Sequence, residues 1–314
     1  MAIELSVVVP VFNEEANIPE LHRRLSAVLE RAVDSYEIVF VDDGSRDRSW
    51  SLITDLARQD PHVRGLSFSR NFGHQMAFSA GLDHARGQAV VIMDADLQDP
   101  PEVIPELLAR WRAGSEVVYA VRTSREGETA FKRATAALFY RLMQRITQVP
   151  IPVDTGDFRL MGPRALAAFR RLPERHRFTR GLVAWLGFRQ TGVPYARAAR
   201  RAGATGYPLR KMLRFAVDGI TSFSHVPLQL ATWLGFLVSL LAFAYIVVVV
   251  ALKVIGISWP GYTSLMAAIL FLGGVQLVMI GLLGEYLGRV YDEVKRRPLY
   301  LVQATVGEAD PSQE

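Results

Sequence analysis

Two carboxylates and an amide stand at alternate positions in Asp94-Ala95-Asp96-Leu97-Gln98, directly after the apolar run Ala89–Met93. Oxygen ligands spaced this way at the end of a buried strand can meet on one hard cation, Mg²⁺ or Mn²⁺, which then draws in substrate phosphates. Two more apolar runs end in acidic loops, one in Phe12-Asn13-Glu14-Glu15 and the other in Asp42-Asp43-Gly44-Ser45. Such acids also serve as helix caps and turn residues. The second loop therefore reads either as a capping turn or as a carboxylate site for the donor groups of a ribose or base. Bare acids repel phosphate, so a nucleoside diphosphate needs the metal to be welcome there. A Gly-x-Gly-x-x-Gly after the first strand and a Gly-x-x-x-x-Gly-Lys-Ser/Thr are both missing, which removes support for dinucleotide enzymes and P-loop ATPases. Cysteine is absent, excluding a thiol nucleophile, disulfides, zinc fingers and iron–sulfur clusters, and with six histidines oxygen is the favoured metal ligand.

The elements that must position these residues alternate in type. Apolar runs at Ile3–Val11, Glu37–Val41, Val63–Ser67, Ala89–Met93 and Glu116–Val121 predict strands. Helical spacing predicts helices at Ala16–Leu29, Ser49–Ala57, Gln75–His84 and Pro101–Ala113, with more at Ala130–Thr147 and Pro163–Phe169. Continuous apolar strands separated by single helices imply an α/β domain with a mostly parallel sheet covered on both faces. In such sheets the site lies beyond the carboxyl ends of the strands, where the three acidic loops fall.

The chain has 314 residues, 50% hydrophobic and 21% charged, with a formal net charge of +5, which excludes a disordered or fibrous protein. No Asp, Glu, Lys or Arg occurs from Gly219 to Leu252 or from Val254 to Gly284. Each stretch exceeds the roughly 20 residues needed to cross a bilayer. The expected organisation is a catalytic domain over 1–207, an interfacial amphipathic helix over 208–226 and a transmembrane hairpin over 227–288. The spans lie at about 228–252 and 265–287, and a tail follows over 289–314. The tail after Gln303 is short and acidic and is expected to carry no regular structure. Met1–Val11 lacks a basic start and carries Glu4, so a signal peptide is not expected. Arg210, Lys211, Arg214, Arg289, Lys295, Arg296 and Arg297 flank the outer ends of the hairpin, whereas its turn holds only Lys253. By the positive-inside tendency the catalytic domain and both termini face the cytoplasm, where nucleotides are made. The isoelectric point of about 9.6 is explained by a membrane surface better than by nucleic acid, which is not an expected partner.

Several ordered motifs carry a family resemblance. Pro10-Val11-Phe12-Asn13-Glu14-Glu15, Asp42-Asp43-Gly44-Ser45, Arg70-Asn71-Phe72-Gly73 and Asp94 through Pro101 resemble the motif series of the family 2 glycosyltransferases. Asp154-Thr155-Gly156-Asp157-Phe158-Arg159-Leu160 and Ala202-Gly203-Ala204-Thr205-Gly206-Tyr207 resemble the polyisoprenyl-phosphate branch, with its dolichol-phosphate mannose synthases and bacterial undecaprenyl-phosphate glucosyltransferases. The resemblance covers nearly the whole chain and implies a Rossmann-like nucleotide-sugar domain followed by a two-helix hairpin. It also implies an inner-membrane location in a bacterium and a homo-oligomer, a tetramer by resemblance.

What it implies for single residues is specific. Pro10, Phe12, Asn13 and Glu14 would line the nucleotide pocket, and Asp42 with Asp43 would hold base and ribose. Asp94 and Ala95 would sit by the ribose and diphosphate; Asp96 and Gln98, with Asp94, would bind Mg²⁺ or Mn²⁺. Arg122 would approach the sugar diphosphate, Arg133 the acceptor phosphate and Arg200 the departing diphosphate, work suited to a permanently charged guanidinium fork. For Arg133 a solvated surface charge is an equal reading. Asp157 would orient the acceptor or remove a residual proton, or else simply pair with Arg159 or another arginine. The chain departs from the family at Thr205-Gly206-Tyr207, where relatives often carry Ser-Lys-Tyr, and at Ala137, where a hydroxyl residue can stand.

The implied reaction is metal-dependent, inverting transfer of a hexose from a nucleotide sugar to a polyprenyl phosphate. UDP-glucose is the first choice of donor. GDP-mannose is the alternative, and a non-catalytic scaffold binding sugar nucleotide or lipid is the reading from another class. A processive polysaccharide synthase would need a Gln-x-x-Arg-Trp signature, which the chain lacks.

Overall fold

The structure is a computed structural model, described here for residues 3–123, 155–175, 177–196, 226–256 and 261–307. The alternating pattern builds β1 (Leu5–Val11), α1 (Ile18–Ala32), β2 (Tyr36–Asp42), α2 (Ser49–Gln59), β3 (Val63–Phe68), α3 (His74–His84) and β4 (Ala89–Ile92). After a short 3₁₀ turn come α4 (Ile104–Arg112), β5 (Val117–Arg122), β6 (Thr155–Met161), α5 (Pro163–Arg170), α6 (Thr179–Trp185) and β7 (Gln190–Tyr195). Two long helices follow, α7 (Val226–Val254) and α8 (Tyr262–Lys295), and the last element is β8 (Val302–Val306).

The eight strands form one sheet in the order β7-β5-β6-β4-β1-β2-β3-β8. β4, β1, β2 and β3 are mutually parallel, as are β5 and β7, while β6 and β8 run antiparallel to their neighbours. Every residue of β1, β2, β3 and β4 is buried, as expected when helices cover both faces. On α1, Ile18, Leu21, Leu25 and Leu29 repeat at helical spacing and turn one stripe inward. Burying each such side chain contributes roughly 1.5–3 kcal/mol. Away from the acidic loops, Glu37 ties three strands and the chain entering β4 together. It accepts from Ser6 Oγ at 2.6 Å, Arg64 Nη1 at 2.8 Å and the Arg86 amide at 2.7 Å.

The strands and helices expected up to residue 122 appear within a few residues of their predicted bounds. β6 and β7 had not been foreseen, and the mostly parallel sheet is mixed at two places. One expectation is overturned: the tail after Gln303 is structured as far as Val306, where β8 pairs with β3 from Gly65↔Val306 to Phe68↔Val302. An open edge on β3 offers unpaired amides and carbonyls to any chain that can reach it, and the tail supplies that chain. The helix expected at Ala130–Thr147 and the interfacial helix of 208–226 lie outside the described residues.

The described residues fall into two compact units. One holds the sheet with its helices, including the chain from Arg297 onward; the other, within 210–296, holds α7 and α8. Both helices are long and apolar enough to cross a membrane, and their spanning windows bury nothing within the chain. At about 1.5 Å per residue, the 29 residues of α7 exceed a hydrocarbon core of about 30 Å. Side chains this apolar and this exposed need a lipid environment, so the protein is membrane-associated.

Candidate functional site

The loops after β1, β2, β3 and β4 gather at one edge of the sheet, with the start of β6 and the ends of β5 and β7 beside them. The loop after β4 is built by alternation. Ala95, Leu97 and Asp99 turn into the protein, each at most 5% exposed, whereas Asp94, Asp96 and Gln98 are half-buried. Leu97 takes a left-handed φ of 60°, which lets the chain turn while its side chain stays in the core. Asp96 Oδ1 accepts from the Gln98 amide at 3.1 Å, and Asp94 Oδ1 lies 3.0 Å from His74 Nε2. Burial lowers the His74 pKa, but the hydrogen bond and charge of Asp94 outweigh it, so the imidazole is shifted upward. Two carboxylates and an amide oxygen are hard donors of the kind Mg²⁺ or Mn²⁺ takes, so by type the residues fit such an ion. Ala95 is the exception within the predicted set: its side chain is in the core, leaving only its backbone for a ligand.

Phe12, Asp42, Trp50, Arg70 and Asn71 line a space of about 470 Å³, together with Gln303 and Ala304 from β8. A smaller space of about 230 Å³ is lined by Pro10, Phe12, Asp43, Asn71 and His74. Phe12 is exposed and shared by both. Asn13, at a left-handed φ of 57°, donates its amide to Ser45 Oγ at 2.9 Å and accepts the Arg46 amide at 2.8 Å, clasping the first two loops together. The Glu14 amide donates to Ser49 Oγ at 3.0 Å. Asp42 accepts from the Ser45 amide at 3.1 Å and Ser67 Oγ at 2.9 Å. Asp43 accepts the amides of Phe72 at 2.7 Å and Gly73 at 3.0 Å. Burial raises its pKa more than those amides lower it. Both acids thus hold the loops that shape the cavity, and neither caps α2, whose first amide, at Ser49, donates to Asp47. Gly44 is required directly after Asp42 and Asp43: its φ is +70°, and a Cβ would come within 2.6 Å of the Arg70 carbonyl carbon.

Next to these loops, Asp157 in β6 is almost fully buried. It accepts from Arg180 Nε at 2.9 Å and Nη2 at 3.3 Å, with Arg159 Nη2 at 3.9 Å. Burial pushes this carboxyl up, but the Arg180 guanidinium, then Arg159 and His74, hold it at about 2. A carboxylate so well compensated is a weak proton acceptor, which favours the pairing and orienting readings over proton removal. The partner is Arg180 more than Arg159. Arg122, at the end of β5, donates Nε to Tyr195 Oη at 3.3 Å, and Tyr195 donates to the buried Asp99. Burial, then Asp99, pushes the Tyr195 hydroxyl up to about 12, so it stays protonated and keeps donating.

Pro10, Phe12, Asn13, Glu14, Asp42, Asp43, Asp94, Asp96, Gln98, Arg122 and Asp157 therefore lie along one edge of the sheet. Arg133 and Arg200 lie outside the described residues. Sequence reasoning missed His74, Arg180, Tyr195 and Gln303. His74 follows Arg70-Asn71-Phe72-Gly73 directly and could have been found by extending that motif; the other three carry no local signal.

Residues 6–169 match Glycosyl transferase family 2, and residues 226–290 match the GtrB C-terminal hairpin. An uncharacterized glycosyltransferase, YkcC, of Bacillus subtilis is 51% identical over 97% of this chain and 95% of its own length. The SfII prophage-derived bactoprenol glucosyl transferase of Shigella flexneri is 45% identical over 96% of this chain and 98% of its own. The prophage bactoprenol glucosyl transferase homolog of Escherichia coli is 44% identical over 96% and 99%. The motif series at the strand ends and these near full-length similarities agree: the chain belongs to glycosyltransferase family 2.

Proposed function

We propose that this protein transfers glucose, with inversion, from a nucleotide sugar to a polyprenyl phosphate, and that the donor is UDP-glucose. The observation that carries the reading is the alternation after β4, which turns Ala95, Leu97 and Asp99 inward and leaves the hard donors of Asp94, Asp96 and Gln98 half-buried at the strand end. Relatives named as bactoprenol glucosyl transferases support the sugar and the acceptor.

In this reading Asp94, Asp96 and Gln98 hold Mg²⁺ or Mn²⁺, which supplies positive charge against the diphosphate. Phe12 packs against the nucleoside, while Pro10, Asn13, Glu14, Asp42 and Asp43 shape its pocket, and Ala95 offers its main chain. Arg122, steadied by Tyr195, approaches the sugar diphosphate. Arg200 neutralises the leaving group and Arg133 takes the acceptor phosphate, both assigned by resemblance. A phosphate monoester has a second pKa of about 6 and is largely ionised at neutral pH, so the attacking oxygen needs little help from a base. Asp157 then acts through Arg180, fixing a guanidinium beside the reacting groups. The hairpin anchors the site at the headgroup plane of the bacterial inner membrane, with the catalytic domain and both termini in the cytoplasm, and the protein assembles as a homo-oligomer.

The metal assignment is tested by Asp96→Asn and Gln98→Ala in full-length protein supplied with Mn²⁺. Asp96→Asn should lower glucosyl transfer at least about 100-fold, and Gln98→Ala about tenfold, without moving the melting temperature. Near-normal turnover in Asp96→Asn would remove the metal from the account.

A further inference from the structure

Gln303 and Ala304 follow the two apolar helices by only a few residues in the sequence, yet they line the same cavity as Phe12, Asp42, Arg70 and Asn71. The strand that carries them is firmly seated. The Tyr300 ring stacks on Phe68 at 5.1 Å between centroids, and its hydroxyl donates to Asp83 at 3.0 Å. The Ser69 amide donates to the Leu301 carbonyl at 3.0 Å. Past the strand, Gly307 has a φ of +72° and lies so close to β3 that a Cβ would come within 2.3 Å of the Val63 carbonyl oxygen.

The pairing of β8 with β3 also slips. Ser67 faces Ala304 but Phe68 faces Val302, so Gln303 is the extra residue of a bulge. Bulges re-aim side chains and recur beside binding sites. Here the bulge falls at the residue whose carboxamide, with two N–H donors and one carbonyl acceptor, can meet the edge of a base. The sheet order assigns the end of the pocket. β8 and β3 lie on the far side of β2 and β1 from β4, so at about 4.8 Å per strand Gln303 stands well over 10 Å from the metal-fitting loop. That is the end opposite the diphosphate.

We propose that β8 forms the base end of the donor pocket and that Gln303 is a base-contacting residue, pairing its carboxamide with the N3–H and O4 edge of uracil. This rests on the nucleotide-sugar reading above. Uracil presents a donor beside an acceptor, which a carboxamide matches with its carbonyl and an N–H; turned over, the same group matches N3 and the amino group of cytosine. A carboxylate at position 303 would keep one of these bonds and set its second oxygen against O4 of uracil or N3 of cytosine.

The experiment is calorimetric titration of full-length protein in detergent, with Mn²⁺, using UDP, CDP and GDP. Wild-type protein should bind UDP. Gln303→Ala should weaken UDP binding about tenfold, and Gln303→Glu should weaken it further. Thr305→Ala, on the same strand but outside the cavity lining, should stay within about twofold and show that the strand tolerates substitution. UDP affinity and base preference unchanged in both Gln303 variants, with matching melting curves, would overturn the proposal and leave the donor reading intact. A wild-type preference for GDP would overturn the uracil assignment. Wild-type protein that binds none of the three would overturn the donor reading itself.

Discussion

The hydroxyl of Tyr195 on β7 donates to the buried carboxylate of Asp99 in the loop after β4, and so joins the metal-fitting loop to the strand beside Arg122. Tyr195→Phe should leave Asp99 short of a donor and Arg122 without its rest. The cost is about 1–3 kcal/mol of stability, read as an earlier midpoint in urea. Transfer should fall about tenfold through a misplaced Arg122, seen in kcat/KM for the donor.

Asp157 offers a test by pH. Its folded pKa of about 2 lies below the ordinary carboxylate value, so its stabilising effect is fully present above about pH 4. It is lost as the pH falls from there through 2. Asp157→Asn should destabilise the protein by roughly 3 kcal/mol at pH 7, because Arg159 is left buried without its charge partner, and this difference should shrink toward pH 2. Chemical denaturation at both pH values would show it. A rate–pH profile whose acid limb moved with this substitution would restore the base reading.

Gly44→Ala places a Cβ against the Arg70 carbonyl carbon at a positive φ. It should cost roughly 1–3 kcal/mol and push the Arg70–Asn71 wall away from the cavity. Weaker nucleotide binding, with kcat at saturating donor little changed, is the expected split.

Asp43→Ala removes the acceptor for the Phe72 and Gly73 amides. Roughly 1–3 kcal/mol should be lost, and amide hydrogen exchange at Phe72 and Gly73 should quicken while β1 stays protected. Unchanged exchange would mean that the loop is held by other contacts.

Much of this was legible from the residues alone, for a physical reason. β1 through β4 are buried on both faces, so their apolar runs are continuous and the acids at their ends stand out. β6 was hidden because its sequence, TGDFRLM, carries Asp157 and Arg159 in buried positions, where charge compensation from Arg180, 23 residues away, replaces apolarity. No local pattern encodes such a partner. β8 was hidden for a different reason. VQATV is an unremarkable stretch beside an acidic tail, and it becomes a strand only because β3, more than 200 residues earlier, leaves an edge to pair with. The donor pocket read from the sequence therefore lacked one wall.

The central claim is glucosyl transfer to a polyprenyl phosphate, and one measurement meets it head-on. Full-length protein is incubated with undecaprenyl phosphate, Mn²⁺ and, in parallel, labelled UDP-glucose or GDP-mannose, and the organic phase is counted. Lipid-borne label from UDP-glucose that disappears with EDTA and in Asp96→Asn is the expected result. Label from GDP-mannose alone, or no lipid label from folded protein that binds UDP, would contradict it.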